Sequence, residues 1–253
     1  MVKAIPAFIG IELHRSAGRN RRPYVYVSLD SDLTLIAIGH GDRNETLAYI
    51  GGQQSAYVAI NAPRKPNNGA VNLKAAYQIT LAKSHQKLNC RLAEYLLRAE
   101  GLSIAYTAAK PRSCPRWVQH SFTLFKCLDN FGYQPYPSDE VQHQSLEVCT
   151  ADIFLWLLGC NPLPEHSLEG RIQRQLILYE KGLQIADAMD YFLEITRFKL
   201  LKGDLPIQNI HNFEELNALA AAYLAWSAYN NPSSVRLLGD SAEGQIVSPC
   251  PTE

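Results

Sequence analysis

The sequence predicts an α/β fold built around a mixed sheet. Three β-rich segments follow one another near the N-terminus, a helix candidate and a fourth strand come next, and helical patterns then surround a fifth strand. Such a mixture of strands and helices is typical of α/β topologies. With 253 residues and 47% hydrophobic content, the chain can bury one sizeable core. We therefore expect a single domain over residues 1–253.

The strand predictions rest on apolar patterning. Residues 7–13 form an apolar run with one acid, as expected for a strand that is buried on both faces. Residues 24–29 and 33–38 are rich in β-formers and follow after short turns, which indicates an antiparallel meander. Residues 57–61 predict a fourth strand, and residues 144–149 predict a fifth.

The helix predictions rest on helical periodicity and on capping residues. Thr150, Ser167 and Asn212 are the expected N-caps, and Glu215 is expected to complete a capping box with Asn212. The order of elements is that of an RNase H-like fold, with a five-stranded mixed sheet flanked by helices and a helical insertion between strands 4 and 5. A short terminal strand is also indicated at residues 244–247. The candidate helices cover residues 42–50, 71–100, 116–131, 150–158, 167–179, 185–201 and 213–228.

The amino-acid composition of the chain limits the classes of function that it can have. Basic and acidic residues are equal in number, at 24 each, so nucleic-acid binding would require a local basic patch. The six cysteines form no CxxC motif and no Cys/His zinc spacing. No uncharged apolar run approaches ~18 residues and no signal peptide is recognisable, so we expect a cytoplasmic protein without a membrane span. Walker A, GxGxxG, GxSxG and HExxH motifs do not occur.

Several short motifs occur in the same order as in one known family. They include Ile9-Gly10-Ile11-Glu12, Ile60-Asn61-Ala62-Pro63 and residues 146–151, 215–222 and 243–249. Together they resemble the DUF429 family of predicted RNase H-like nucleases, from about residue 7 to residue 249. In that family Asp is typical where this chain has Glu12, Asn61 and, in the small-residue helix, Asn217.

The resemblance implies a two-metal site for phosphodiester hydrolysis, which requires converging carboxylates. The matching catalytic positions are Glu12, Asn61, Glu147 and Asn217, so two acids of the pattern are amides here. On this interpretation Glu12 and Glu147 hold Mg²⁺ or Mn²⁺. Glu214 is a fifth catalytic candidate, because it lies one helical turn before Asn217 and carries a negative charge. The alternative is a catalytically inactive RNase H-like protein that binds nucleic acid or a protein partner.

Basic residues are expected near the same site. Arg15 and Arg19 lie in the loop after the first strand, and Arg64 and Lys65 follow Asn61 directly. If both loops border one cleft, these four residues form a nucleic-acid-binding patch that contacts phosphates. The alternative is that both are ordinary solvated loops.

Some of these candidate site residues can also be explained by a purely structural role. Glu147 is equally explained by an ion pair with a basic residue such as Arg98, because a buried carboxylate without a partner is costly. A separate basic stripe is expected to be an exposed helical face, and it consists of Lys83, Lys87 and Arg91. Glu94, on the same predicted helix, is a further candidate for the site.

Overall fold

The computed structural model describes residues 5–15, 22–73, 89–138 and 141–250. Within these residues, eight strands pair into one sheet. Their bounds are β1 (Ala7–Leu13), β2 (Tyr24–Leu29), β3 (Leu35–Gly41), β4 (Ala56–Ile60), β5 (Gln134–Pro135), β6 (His143–Val148), β7 (Val235–Asp240) and β8 (Gly244–Pro249).

The strand order is β3-β2-β1-β4-β6-β8-β7, and β5 pairs with β6 outside this path. The three N-terminal strands form an antiparallel meander, whereas β1, β4 and β6 run parallel to one another. β8 continues the parallel part beside β6, and β7 closes that edge as an antiparallel hairpin partner. The carboxyl ends of β1, β4 and β6 therefore meet at one edge of the sheet.

Helices cover both faces of this sheet. Their bounds among the described residues are α1 (Arg43–Gly51), α2 (Ala70–Leu73), α3 (Leu92–Ala99), α4 (Arg116–Asn130), α5 (Thr150–Leu158), α6 (Leu168–Glu180), α7 (Asp190–Glu194), α8 (Arg197–Lys202) and α9 (Phe213–Asn230). No helix in this part of the chain has the length and apolar character needed to cross a membrane.

The strand β1 contributes side chains to a different core on each face. Phe8 packs with the alanine-rich part of α9, whereas Ile9 and Ile11 pack with apolar residues of α1 and α4. Since successive side chains of a strand point to opposite faces, Gly10 and Glu12 share the α9 face with Phe8. A Cβ atom at Gly10 would lie 1.8 Å from the carbonyl oxygen of Ala218, so glycine is required for this close approach.

The structure confirms an α/β fold with a mixed sheet flanked by helices, but the predicted count of five strands is wrong. β8 corresponds to the terminal strand predicted at residues 244–247, whereas β5 and β7 were not predicted, and β7 pairs with β8 along its whole length. β7 has the sequence Val-Arg-Leu-Leu-Gly-Asp, in which polar residues interrupt the apolar pattern, so only its pairing identifies it as a strand. The predicted insertion is present as α2, α3 and α4, although residues 74–88 lie outside the described chain.

Two helix predictions are also corrected. The candidate helix over 185–201 is two short helices, because Thr196 caps the second of them by accepting a hydrogen bond from the Lys199 backbone N–H at 3.2 Å. Thr150 is the first residue of α5 rather than its cap, and Cys149 occupies the N-cap position. The capping predictions at Ser167 and Asn212 are confirmed.

Candidate functional site

Glu12 and Asn61 lie side by side at the carboxyl ends of β1 and β4. The parallel register pairs Ile11 with Ile60, which brings the next residue of each strand together. The Asn61 Nδ2 atom donates a hydrogen bond to Glu12 Oε2 at 2.5 Å. Glu12 is 1% exposed, so its carboxyl group depends on this amide rather than on water for a hydrogen-bond partner.

The environment of Glu12 favours its neutral form. Burial raises the pKa of Glu12 from 4.5 to about 8, and the hydrogen bond from Asn61 and the charge of Arg15 oppose that rise only in part. The negative charges of Glu165 and Glu214 raise this pKa further. At neutral pH Glu12 is therefore mostly protonated, and a protonated carboxyl group is a poor ligand for a hard divalent cation.

Asn61 also connects β4 to the start of α5. Its Oδ1 atom accepts the backbone N–H of Thr150 at 3.0 Å, and its Nδ2 atom donates to Thr150 Oγ1 at 2.8 Å. The amide thus uses both of its N–H groups, one on Glu12 and one on Thr150. An aspartate at position 61 would accept the Thr150 N–H but would have no proton to donate to Glu12. The asparagine is therefore chemically suited to this junction.

Glu147 occupies a different environment. In β6 its neighbours Leu146 and Val148 pack into the core on the α9 face, so Glu147 projects from the opposite face to Glu12 and Asn61. The Arg91 Nη1 atom donates to Glu147 Oε2 at 2.9 Å, and the Arg91 Nη2 atom donates to Glu147 Oε1. Glu147 is therefore held by Arg91 on the other face of the sheet, although Glu147 and Asn61 line the same cavity at the strand ends.

The Arg91–Glu147 contact is a buried ion pair. The side chains are 1% and 2% exposed. Burial by itself would lower the pKa of Arg91, but the charges and hydrogen bonds of Glu147 and Glu94 raise it above its ordinary value. Arg91 therefore stays positively charged, and the prediction that it lies on an exposed helical face is wrong. Arg98, the partner considered for Glu147, instead stacks over the Tyr106 ring.

Two further acids complete this buried polar network. Glu94 accepts the Arg91 Nε–H at 2.9 Å and the backbone N–H of Thr107 at 2.9 Å. Glu243 accepts backbone N–H groups at the starts of α2 and α3, from Ala70 at 3.0 Å and Leu92 at 2.9 Å. Carboxylates at helix N-termini satisfy otherwise unpaired N–H groups. Glu94 and Glu243 therefore stabilise the helical insertion.

Asn217 and Glu214 both lie on α9 but in different surroundings. Asn217 is 2% exposed, and its Nδ2 atom has no hydrogen-bond partner among the described residues. Glu214 Oε1 lies 2.8 Å from His14 Nδ1, and its charge acts on Glu12. Glu215 forms the predicted capping box, because its carboxylate accepts the Asn212 backbone N–H at 3.1 Å. Of the acids in the first turn of α9, Glu214 is thus the one near Glu12.

Three of the four residues of the predicted basic patch are described, and they lie in different surroundings. Arg15 is exposed and lies over the Trp117 ring, with 5.7 Å between the guanidinium carbon and the ring centroid. Arg64 is buried, and its guanidinium donates to Ser145 Oγ at 2.7 Å rather than facing solvent. Lys65 is exposed beside a second, smaller cavity, and Arg19 lies outside the described residues.

A cavity of about 330 Å³ lies outside the carboxyl ends of β1, β4 and β6. Asn61, Glu147 and Arg15 line it. Trp117 and Arg174 also line it, and neither was singled out as a site residue from the sequence, because each comes from a separate helix. Arg174 is 6% exposed, and its Nε–H has no hydrogen-bond partner among the described residues.

The donor set does not fit a divalent metal ion. Among the described residues, no group of three or more His, Cys, Asp or Glu side chains is arranged to hold one. The two expected ligands are also unsuitable chemically, since Glu12 is mostly protonated and Glu147 is paired with Arg91. No hydrolytic step through Mg²⁺ or Mn²⁺ therefore follows from this geometry.

Comparisons with known proteins returned no relatives. No protein-family model, no curated protein and no solved structure matches this chain. The resemblance to the DUF429 family therefore stays a prediction from the sequence motifs. Function has to be inferred from the chemistry of the site itself.

Proposed function

We propose that this chain is an RNase H-like protein that binds a phosphate-bearing ligand without cleaving it through metal ions. The RNase H-like assignment is supported by the order β3-β2-β1-β4-β6, in which the first three strands are antiparallel and the last three are parallel. The sequence motifs that resemble the DUF429 family also support this assignment. The extra β7–β8 hairpin extends this sheet beyond β6.

The observation that carries the proposal is the buried pair between Arg91 and Glu147. A metal ion would have to take Glu147 away from Arg91, and an unpaired buried charge costs about 3–5 kcal/mol. Glu12 would also have to lose its proton, which burial opposes. Both costs are absent in a metal centre with free carboxylates, so the chain is better suited to binding than to two-metal hydrolysis.

The cavity has features suited to an organic phosphate. Its volume of about 330 Å³ lies in the range of small-molecule sites, and ligands of open α/β sheets bind outside the carboxyl ends of the strands. The guanidinium group of Arg15 and the Nε–H of Arg174, which has no partner among the described residues, are donors of the kind that phosphate prefers. The Trp117 ring offers an apolar surface for a base or another flat group. We therefore propose a ligand of about nucleotide size, either free or at the end of a nucleic-acid strand.

The metal part of the proposal is tested by calorimetric titration with Mn²⁺. We expect no binding at micromolar Mn²⁺, in contrast to a nuclease centre. Micromolar binding that disappears in Glu12→Gln would overturn the proposal and support the nuclease interpretation.

The ligand part is tested by titrating thymidine 5′-monophosphate and a 5′-phosphorylated thymidine oligonucleotide into the protein. A free-nucleotide site binds both, whereas a strand-end site prefers the oligonucleotide. Arg15→Gln should weaken the binding about tenfold, since a hydrogen bond to a charged group is lost. Arg22→Gln is the matched control, because Arg22 pairs with Glu45 and does not line the cavity. Failure of both ligands to bind would refute the assigned ligand class.

A further inference from the structure

An apolar surface lies on the segment after α6, and none of its residues lines the cavity. One side of this segment is packed, with Ala188, Tyr191 and Ile210 buried against residues of α6. Its other side exposes large apolar side chains, and Leu193 and Leu201 are 82% and 79% exposed. We call this surface the α7–α8 face, and it consists of Met189, Phe192, Leu193, Phe198, Leu200 and Leu201.

This surface has more exposed apolar side chains close together in the sequence than the surface of a soluble protein usually has. Single exposed apolar residues are normal on soluble proteins, but adjoining groups of them mark interaction sites. The six residues of the α7–α8 face fall within positions 189–201, on two consecutive helices joined by Ile195 and Thr196. Contact between water and this much apolar area is unfavourable, so a complex in which a partner covers the surface is stabilised by the hydrophobic effect.

The charges on the same two helices are separated by sign. α7 carries Asp190 and Glu194, whereas α8 carries Arg197, Lys199 and Lys202. No ion pair within the described part of the chain involves any of these five residues. An acidic helix beside a basic helix is complementary to its own copy after a two-fold rotation.

We propose that the α7–α8 face is a dimer interface with a second copy of this chain. In this arrangement α7 of one protomer lies against α8 of its partner, and the symmetry repeats the same contact with the roles exchanged. The apolar residues form the centre of the interface and the charged residues form its rim, as in other protein interfaces. Residues 189–207 contain three acids and three bases, so their net charge does not favour an anionic membrane as the occupant.

The test inverts each set of charges. One variant carries Asp190→Lys and Glu194→Lys, and the other carries Arg197→Glu and Lys199→Glu. Sedimentation velocity should show that wild type is a dimer at concentrations where each variant alone is a monomer, because like charges then face each other in both contacts. An equimolar mixture of the two variants should recover the dimer, since both contacts again join opposite charges. A misfolded variant would not recover in this way.

The control is Lys110→Glu with Arg112→Glu, which inverts two exposed charges before α4 and should leave the dimer intact. A wild type that stays monomeric over the whole concentration range would overturn the proposal. So would variants that dimerise as wild type does, because the charges would then have no role in the contact. A monomeric wild type that co-sediments with phosphatidylserine vesicles would instead assign the α7–α8 face to a membrane surface.

Discussion

Replacing Glu12 by Gln should make the protein more stable than wild type at alkaline pH. The substitution keeps the size of the side chain, and the Gln carbonyl oxygen can still accept the hydrogen bond that Asn61 donates to Glu12. The variant differs in having no proton to lose. Glu12 is 1% exposed and its pKa is raised to about 8, mainly by burial. Its ionisation in the folded state is therefore opposed by the protein interior.

The size of the effect follows from the two pKa values of Glu12. The unfolded chain releases this proton near 4.5, whereas the folded protein keeps it up to about pH 8. Between these values the folded state binds more protons than the unfolded state, so wild-type stability falls as the pH rises. Each pKa unit corresponds to about 1.4 kcal/mol. The free energy of unfolding of Glu12→Gln, relative to wild type, should thus rise by about 3 kcal/mol from pH 5 to pH 8.

Urea denaturation of both proteins over this pH range measures the difference directly. Titration of all other groups contributes equally to both proteins and cancels. Glu180→Gln makes the same chemical change on an exposed residue at the end of α6, and its difference from wild type should stay small at every pH. A difference for Glu12→Gln that does not change with pH would refute the reasoning, because Glu12 would then ionise as easily in the folded protein as in the unfolded chain.

Three further substitutions test the contacts of the site. Arg91→Met should lower the free energy of unfolding by about 3–5 kcal/mol in urea, because Glu147 stays buried without its counter-charge; an unchanged value would mean that Glu147 is neutral. Asn61→Asp should lower it by about 1–3 kcal/mol, mostly at alkaline pH, because the donor to Glu12 is lost. Gly10→Ala should lower the melting temperature strongly, since its Cβ would overlap α9, whereas Gly52→Ala, which has ordinary contacts, should not.

Local sequence patterns were sufficient to predict most of the strands and helices, but not all of them. The apolar runs at β1, β2 and β4 and the capping residues of α6 and α9 depend on neighbours along the chain, so they are visible in the sequence. β7 is visible only through its pairing with β8. The break between α7 and α8 depends on Thr196, a weak signal inside an otherwise helical pattern.

The site was harder to predict because its partners are distant in sequence. The side-by-side contact of Glu12 and Asn61 agrees with the idea that the ends of parallel strands meet at one edge. In the sequence, the neighbours of Arg91 are those expected around an exposed arginine on a helix. Its contact with Glu147 joins residues that are 56 positions apart in the chain. No local pattern distinguishes the two roles, since burial of a charge depends on what the rest of the chain places around it.

The sequence by itself determined an α/β fold, the order of its first strands, and the presence of amides where the DUF429-like pattern has acids. Only the tertiary structure decided which face of the sheet each polar residue occupies. β1, β4 and β6 are buried on both faces, so their apolar pattern does not distinguish one face from the other. Register and helix packing put Glu12 beside Asn61, where burial keeps it protonated, and put Glu147 on the other face beside Arg91, where it is held in an ion pair. These two environments are the physical reason that the two acids are poor ligands for a shared metal ion.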